Sequence, residues 1–418
     1  MPIKLKVART AEELDDVFRL RYDVYVSERN KFSEKRATSD GRIVDHFDAL
    51  PGVANIVAYE GDTAIASFRV NKDSAIGLAP EKYFDFTEAR AGIAACSEGQ
   101  ASAPCVVSCS MLAIRKQWRH RRNVIFALFK TTAAVMHGWG ATHVFGASSA
   151  ETFSLYRRLG CKAIATEQWV ESVGDKLIPL VGPFDKIFTW AFGQSESKVK
   201  YFWLDNYCAR FETLLLSPGE VLFSENDSAD RVYSIERGGV ALSRQGANGD
   251  AVIAELGQGE LFGELAIFDG EKRSMTATAT MNTQVIAIEA SHFLDVIRND
   301  STKMDQLLGH CARRLRETEL LAMVQQFAPQ TSRVSFALEQ LWRSAKGEEE
   351  RSATRVLKVG TEQIARRAQV RESEVRRVLE MRRASGGLDY DDSMVRFFRA
   401  PSSEISSAGE PVVALGKS

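Results

Sequence analysis

Between residues 214 and 290 the chain is cut into short runs by glycine-bearing pairs: Pro218-Gly219, Gly238-Gly239, Asn248-Gly249 and Asp269-Gly270. Such pairs supply the fixed φ of proline or the positive φ that tight turns demand, and many short strands so separated predict a β-barrel or sandwich. The flanks read differently. Residues 1–192 alternate helix-like and strand-like stretches, which predicts a layered α/β or α+β unit. There, Thr10 caps a helix with Glu13 as its capping-box partner. NIVAYEG, TAIASFRV and VVSCSMLAI read as strands, Val124–Trp139 as a long helix, then HVFGAS as a strand and AETFSLYRRLG as a helix. A small polar loop is expected at 94–104, a linker at 193–200 and a helix around 201–213.

Beyond the β-rich segment, residues 301–327 form a helical pattern. Met304, Leu308, Cys311, Leu315 and Ala322 lie near heptad spacing, with Thr318 the one polar residue on the stripe. A stripe of this kind packs into a core or against a second copy in a dimer. TEQIARRA and RESEVRRVLEMRR then read as two helices with a tight turn around Gln369-Val370, followed by a hairpin in SGGLDYDDSMVRFF. The Ser-rich 401–418 reads as a disordered tail.

Composition narrows the function classes. The 418 residues suffice for about two to four domains. Hydrophobic residues at 44% and charged residues at 26% exclude a wholly disordered or collagen-like chain. The net charge of −1 means that any nucleic-acid site is a local patch. The six cysteines form no C-x-x-C pair, so no metal site is expected and a reduced, cytoplasmic protein is. No secretory leader and no membrane-spanning run is expected.

The run from Phe262 to Ser274 carries the clearest chemistry. Gly263 lets backbone approach a ligand, and a helical turn starting near Glu264 would aim N–H groups at an anion. Glu264 can accept from ribose hydroxyls, Arg273 can pair with a phosphate, and Ser274 can donate a hydroxyl. This run resembles the phosphate-binding cassette of cyclic nucleotide-binding domains, over about 214–325. The resemblance implies binding by Gly263, Glu264, Leu265, Ala266, Arg273 and Ser274. The Arg273-Ser274 pair matches bacterial cyclic AMP receptors, whose long helix offers a Thr to adenine. Thr318 falls at that place, although Glu319 stands where the family has Ser. Cyclic AMP is the expected ligand.

Residues 351–400 hold twelve Lys/Arg against seven Asp/Glu. With the two-helix pattern, they resemble the Crp-type winged helix-turn-helix of bacterial regulators. Arg371, Arg376 and Arg377 could reach phosphates or base edges. Glu372 and Ser373 depart from the usual Arg-Glu pair. The alternative is a solvated basic face that binds no DNA.

In the first unit, Leu155-Tyr-Arg-Arg-Leu-Gly-Cys161 resembles a segment of the GNAT acyltransferase fold. That resemblance implies Tyr156 as the acid that protonates a leaving thiolate. The glycine-rich pyrophosphate loop of many GNAT enzymes is replaced by cations, among them Arg115, Arg119, Arg121 and Arg122. These suit a phosphopantetheine arm or an acidic acyl carrier protein. Arg21-Tyr-Asp-Val-Tyr25, Asp45-His-Phe-Asp48 and Ser67-Phe-Arg69 resemble the N-acyl amino acid synthases and autoinducer synthases, whose opening segments read R-x-x-V-F and D-x-x-D. The resemblance carries over Arg21, Tyr25, Asp45, Asp48 and Arg69 and implies that the Arg and acidic residues organise acyl transfer; purely structural salt bridges are the other reading. Ser108-Cys-Ser-Met111 keeps only a Ser of the homoserine lactone synthase motif, which argues against lactone synthesis.

The expected chain is multidomain α+β. A GNAT-like α/β acyltransferase fold spans 1–192 and a β-barrel (jelly-roll) cyclic nucleotide-binding domain 193–300. A long connecting or dimerisation helix covers 301–328, a winged helix-turn-helix 329–400, and a tail 401–418. The expected function is transfer of a fatty acyl group from acyl carrier protein or acyl-CoA to an amine, regulated by cyclic AMP, in a homodimer. A cyclic AMP-responsive transcription regulator with an acyltransferase-like sensing domain is the alternative. A dimeric signalling protein without either activity is the third.

Overall fold

The computed structural model describes residues 2–32, 40–97, 103–193, 210–246, 249–344, 355–357 and 359–398. Part of the expected 94–104 loop, residues 194–200 of the expected linker and the 401–418 tail lie outside these. The protein has a mixed α+β architecture with a large sheet. It divides into two compact units. The first comprises residues 1–220, 230–234 and 284–296; the second comprises 221–229, 235–283 and 297–418.

In the first unit, β1 (Ile3–Val7) leads into α1 (Ala11–Tyr22), whose Thr10 capping box with Glu13 is formed. A π-helical turn, Asp23–Glu28, continues α1, and a short 3-10 turn covers His46–Ala49. Then come β2 (Val53–Glu60), β3 (Thr63–Lys72), α2 (Thr87–Ser97), β4 (Val106–Ile114), α3 (Arg122–Gly138) and β5 (His143–Ser148). They are followed by α4 (Ala150–Arg158), β6 (Lys162–Ala163), β7 (Gln168–Val170), β8 (Asp175–Pro183) and α5 (Phe184–Phe192). The 94–104 segment is thus partly helical, since α2 runs to Ser97.

The strand order is β1-β2-β3-β4-β5-β8-β6, antiparallel except for the parallel pair β4–β5. β2 and β3 are buried almost throughout because both sheet faces are covered. α1 packs on one face through Val17 and Leu20, and the π-helical turn adds Val24. α3 covers the other, with Phe129 against Phe68 at 5.1 Å.

The register of β4 breaks against β3. Ser67 faces Ala113 and Arg69 faces Ser110, so Phe68 is opposed by two residues, Met111 and Leu112. Met111 has φ +55°. This is a β-bulge, with an unbranched side chain held in the left-handed region.

The expected helix around 201–213 is corrected where the structure describes it. β9 (Glu212–Leu216) is a strand and pairs antiparallel with β1, Ile3 facing Leu215 and Leu5 facing Thr213. Glu212 sits 3.1 Å from the Lys4 ammonium and also pairs with Arg231. The Thr213 hydroxyl lies 3.3 Å from that of Thr131 on α3, both buried. The short apolar run Leu214–Leu216 behind a buried Thr213 suits a strand covered on both faces better than a helix.

The remaining strands are β10 (Val221–Phe223), β11 (Arg231–Arg237), β12 (Val240–Gly246), β13 (Gly249–Leu256), β14 (Leu261–Phe262), β15 (Thr276–Ala279) and β16 (Thr283–Glu289), with a short α6 (Leu265–Asp269) after β14. Within the second unit β10, β15, β12 and β13 form a sheet in that order. α7 (Ala290–Asn299) precedes α8 (Ser301–Phe327), a 27-residue helix capped by Asp300. After α9 (Gln330–Ser344) and β17 (Arg355–Leu357), α10 (Thr361–Ala368) and α11 (Glu372–Ala384) meet at Gln369, whose φ of +52° makes the turn. β18 (Leu388–Tyr390) and β19 (Val395–Phe397) complete a sheet of order β17-β19-β18. Val334, Leu338, Ile364, Val375, Leu379 and Phe397 fill the core of this part.

Candidate functional site

The residues singled out in the first unit converge at the centre of its sheet. Arg21 on α1 is 0% exposed and Arg69 on β3 is 1% exposed. Arg21 Nη1 donates to both oxygens of Asp48, each at 3.0 Å, and its Nη2 to Asn55. Arg69 Nη1 donates to Asp45 at 2.6 Å and Asp48 at 2.9 Å, Nη2 to Asp45 at 3.2 Å, and Nε to the Ser110 hydroxyl at 3.0 Å. Two guanidinium and two carboxylate groups thus compensate one another where water is excluded. Burial would raise the Asp48 carboxyl, but Arg21 and Arg69 outweigh it and hold it below the usual range. Arg21 Nε alone of these donors has no partner, and Asp45 keeps some exposure; a set so largely paired orients backbone rather than exchanging protons with a substrate.

Tyr156, on α4, lies across the sheet on the α3 side. It borders an apolar cavity with Phe68, Cys109, Phe129, Met136 and Cys161. Burial, aided by Cys109, Tyr25 and Cys161, raises its phenol above the ordinary value, so the group keeps its proton. A neutral phenol beside an apolar cavity can act as an acid toward a departing thiolate.

The cationic loop splits in two. Arg115 donates to the Ala64 carbonyl at 2.8 Å and to Asp23 at 3.0 Å; Arg119 donates to the Ile114 carbonyl at 3.0 Å and pairs with Glu28. Those two are held by the scaffold. Arg121 and Arg122 are exposed at the start of α3, Arg121 lying over Trp118 at 5.5 Å. Lys116 is exposed in the same loop.

In the second unit Gly263 has φ +76°, so the chain turns sharply into α6. Glu264 is 1% exposed and Arg273 is 3% exposed. Arg273 Nη1 donates to the Gly263 carbonyl and its guanidinium stands 4.4 Å over Phe223. Ala266 is buried, whereas Leu265 and Ser274 are exposed. Thr318 is exposed on α8, its hydroxyl donating to the Arg314 carbonyl.

Two residues here escaped the sequence reading. Arg314 Nη1 pairs with Glu264 Oε1 at 3.2 Å, and Glu264 Oε2 has no hydrogen-bond partner. His310 Nε2 donates to the Leu261 carbonyl at 3.1 Å, and burial with Arg314 and Arg313 pushes its pKa down to about 4. Both lie within two turns of Thr318, and that i, i+4 spacing was the available signal.

Of the arginines expected to meet DNA, Arg371 caps α11 and is exposed. Arg376 pairs with Glu372 at 2.8 Å and Asp392 at 3.0 Å, and Arg377 with Glu374 at 2.6 Å. Glu372 also accepts from the Thr361 hydroxyl at 2.6 Å. Exposed pairs of this kind are weak and screened by salt. Among the described residues no cluster of three His, Cys, Asp or Glu could hold a metal ion, and no helix is long and apolar enough to cross a membrane.

The chain matches the family model of the N-acyl amino acid synthase FeeM over residues 16–181 and that of the cyclic nucleotide-binding domain over 214–300. It is 33% identical over 138 residues to a cyclic AMP receptor protein of Thermus thermophilus, covering 33% of this chain and 64% of that one. It is 32% identical over 101 residues to a CRP-like cAMP-activated global transcriptional regulator of Mycobacterium tuberculosis, covering 24% of this chain and 45% of that one. The chain therefore spans less than two thirds of the length of these curated relatives. A solved structure of FeeM, from uncultured soil microbes, is 15% identical with TM-score 0.36, covering 45% of this chain and 94% of that one. One protein thus joins two kinds of domain. It carries an N-acyl amino acid synthase domain of the FeeM type followed by a cyclic nucleotide-binding domain.

Two outcomes test this geometry. Asp48→Asn should destabilise the protein by about 3–5 kcal/mol, read from denaturant unfolding, because it strands buried arginine charge. The folded-state pKa of Asp48 lies below its unfolded value, so its contribution is full above that unfolded value and is lost as pH falls through the folded one. The variant's stability should vary less with pH across that acid range. Arg273→Ala should weaken cyclic nucleotide binding about 10- to 100-fold in calorimetric titration, the scale of a lost charge-assisted contact; unchanged affinity would refute the cradle.

Proposed function

We propose that the chain is a cyclic nucleotide-regulated acyltransferase. It moves a fatty acyl group from a carrier thioester to an amine, that of an amino acid. The FeeM-family match over residues 16–181 carries this reading. In it, residues 1–192 form a GNAT-like acyltransferase domain and 193–300 a jelly-roll sensor. Residues 301–328 are a dimerisation helix and 329–400 a Crp-type winged helix-turn-helix, in a cytoplasmic homodimer.

The amine nitrogen attacks the thioester carbonyl, and backbone N–H groups at the β4 bulge steady the oxyanion. The C–S bond breaks as Tyr156 gives its proton to sulfur. The phenolate then recovers a proton from the acylated nitrogen, leaving amide and thiol. Arg121 and Arg122 receive an acyl carrier protein or the phosphates of acyl-CoA, with Arg115 and Arg119 shaping the loop. Arg21, Asp45, Asp48 and Arg69 support the cleft from beneath.

Cyclic AMP is the proposed regulator, held by Gly263, Glu264, Leu265, Ala266, Arg273, Ser274 and Thr318. The β1–β9 ladder supports regulation, because the first strand of the nucleotide-binding segment extends the acyltransferase sheet. Occupancy alters activity only if the two sensor states bind the nucleotide unequally. For the dimer, Leu308 at 58% and Leu315 at 62% exposure stand seven residues apart on α8, suited to a second copy of the helix.

A transcription regulator with an acyltransferase-like sensing domain is the second reading. The helix-turn-helix geometry of α10 and α11 favours it, with Arg371, Glu372, Arg376 and Arg377 at the DNA. Its mark would be DNA affinity that falls steeply with salt.

Thiol release from long-chain acyl carrier protein and acyl-CoA, supplied with mixed amino acids, should change on adding cyclic AMP. Tyr156→Phe should lower the rate about 100-fold or more while the fold is kept, the range of general acid catalysis. No release under any condition, from folded protein that binds cyclic AMP, would favour the regulator. Leu308→Asp with Leu315→Asp should give a monomer by sedimentation; an unchanged mass would exclude α8 as the dimer seam.

A further inference from the structure

Five described non-glycine residues have left-handed backbone, and Met111 alone among them lies within a strand. Such a conformation costs about 1–2 kcal/mol for an ordinary residue, so neighbouring contacts must hold it. The structure supplies one on each side of the bulge. On one side the Ser110 hydroxyl accepts from Arg69 Nε, whose guanidinium is fixed by Asp45 and Asp48. On the other, the Leu112 carbonyl accepts from the Tyr25 hydroxyl at 2.8 Å.

Tyr25 reaches this point because α1 runs on into the π-helical turn Asp23–Glu28. Widened turns of this type are rare and redirect side chains. Its ring is braced edge-on against Phe32, with centroids 5.0 Å apart. Cys109, two residues before Met111, borders the cavity that Tyr156 lines.

We infer that Tyr25 is a positioning residue for acyl transfer: its hydroxyl pins the Leu112 carbonyl and thereby fixes the backbone of the β4 bulge on which the thioester carbonyl settles. This rests on the acyltransferase reading. Tyr25 touches no reacting atom. It acts through the peptide units on either side of Leu112, and the buried charge cluster acts through Ser110 at the opposite end. Burial pushes the Tyr25 phenol up to about 12, so it remains a donor throughout the neutral range.

The test is Tyr25→Phe in the full chain, which keeps the ring and removes one donor. Two measurements are needed. Amide hydrogen exchange, followed by mass spectrometry, should quicken about tenfold in the peptide covering residues 106–114 and stay unchanged in peptides from β1, β2 and α3. Steady-state thiol release should show kcat reduced about tenfold with the KM for acyl carrier protein within twofold. A merely structural role would spread the exchange change over the unit, or raise KM and lower kcat together. Unchanged exchange in 106–114, or unchanged kcat in an active enzyme, overturns the inference. If the wild-type chain releases no thiol, the acyltransferase reading fails and takes the positioning role with it, whereas the exchange data still decide separately whether Tyr25 holds the bulge.

Discussion

The sheet of the first unit is organised around the Arg69 guanidinium. It is buried beneath β3, and its charge is tolerable there only because Asp45 and Asp48 surround it and Arg21 completes the balance. Three separate segments must therefore arrive together: α1 with Arg21, the His46–Ala49 turn with Asp48 inside it and Asp45 as its cap, and β3. The fourth contact of Arg69, to Ser110, carries that order onto β4. Thus the set implied to organise acyl transfer touches the proposed reaction through backbone, whereas Tyr156 and, from β4, Cys109 line the cavity itself.

The second unit shows a different economy of charge. Glu264 is buried with one oxygen paired to Arg314 and the other unpaired. Burial raises its carboxyl against the pull of Arg314 and Arg273. A ligand offering hydroxyl donors would satisfy the orphaned oxygen, which is the condition under which a buried carboxylate is least costly. In α11 the reverse holds, since Glu372 and Glu374 occupy Arg376 and Arg377 in the open, where the pairs exchange readily with other anions.

Much of this was legible in the sequence. The Thr10–Glu13 capping box, the continuous apolar runs of β2 and β3, and the Gln369 turn follow from local rules, and the structure contains each of them. Motif resemblance brought out Arg21, Asp45, Asp48 and Arg69, and their spacing in sequence gave no distances. The bulge at Met111 was illegible because methionine carries no preference for left-handed backbone; only the mismatch between two strands creates it. The start of β9, Glu212 and Thr213, was misread as the end of a helix because the sequence looks helical locally there, and its pairing with β1 depends on residues about two hundred positions away. The pairing of Arg115 and Arg119 with Asp23 and Glu28 was hidden for the same reason: a cluster of cations in sequence says nothing of which carboxylates come to meet it.

The β1–β9 ladder bears on how such a chain can be divided. A strand at the margin of a sheet exposes a row of unpaired N–H and C=O groups that recruits other strands, and here β9 covers that margin of β1. A fragment ending at Phe192 would keep every residue of the acyltransferase segment and still lose this cover. The sheet edge of the synthase segment is thus covered by a strand that follows it in the chain, so where the chain is cut bears on solubility.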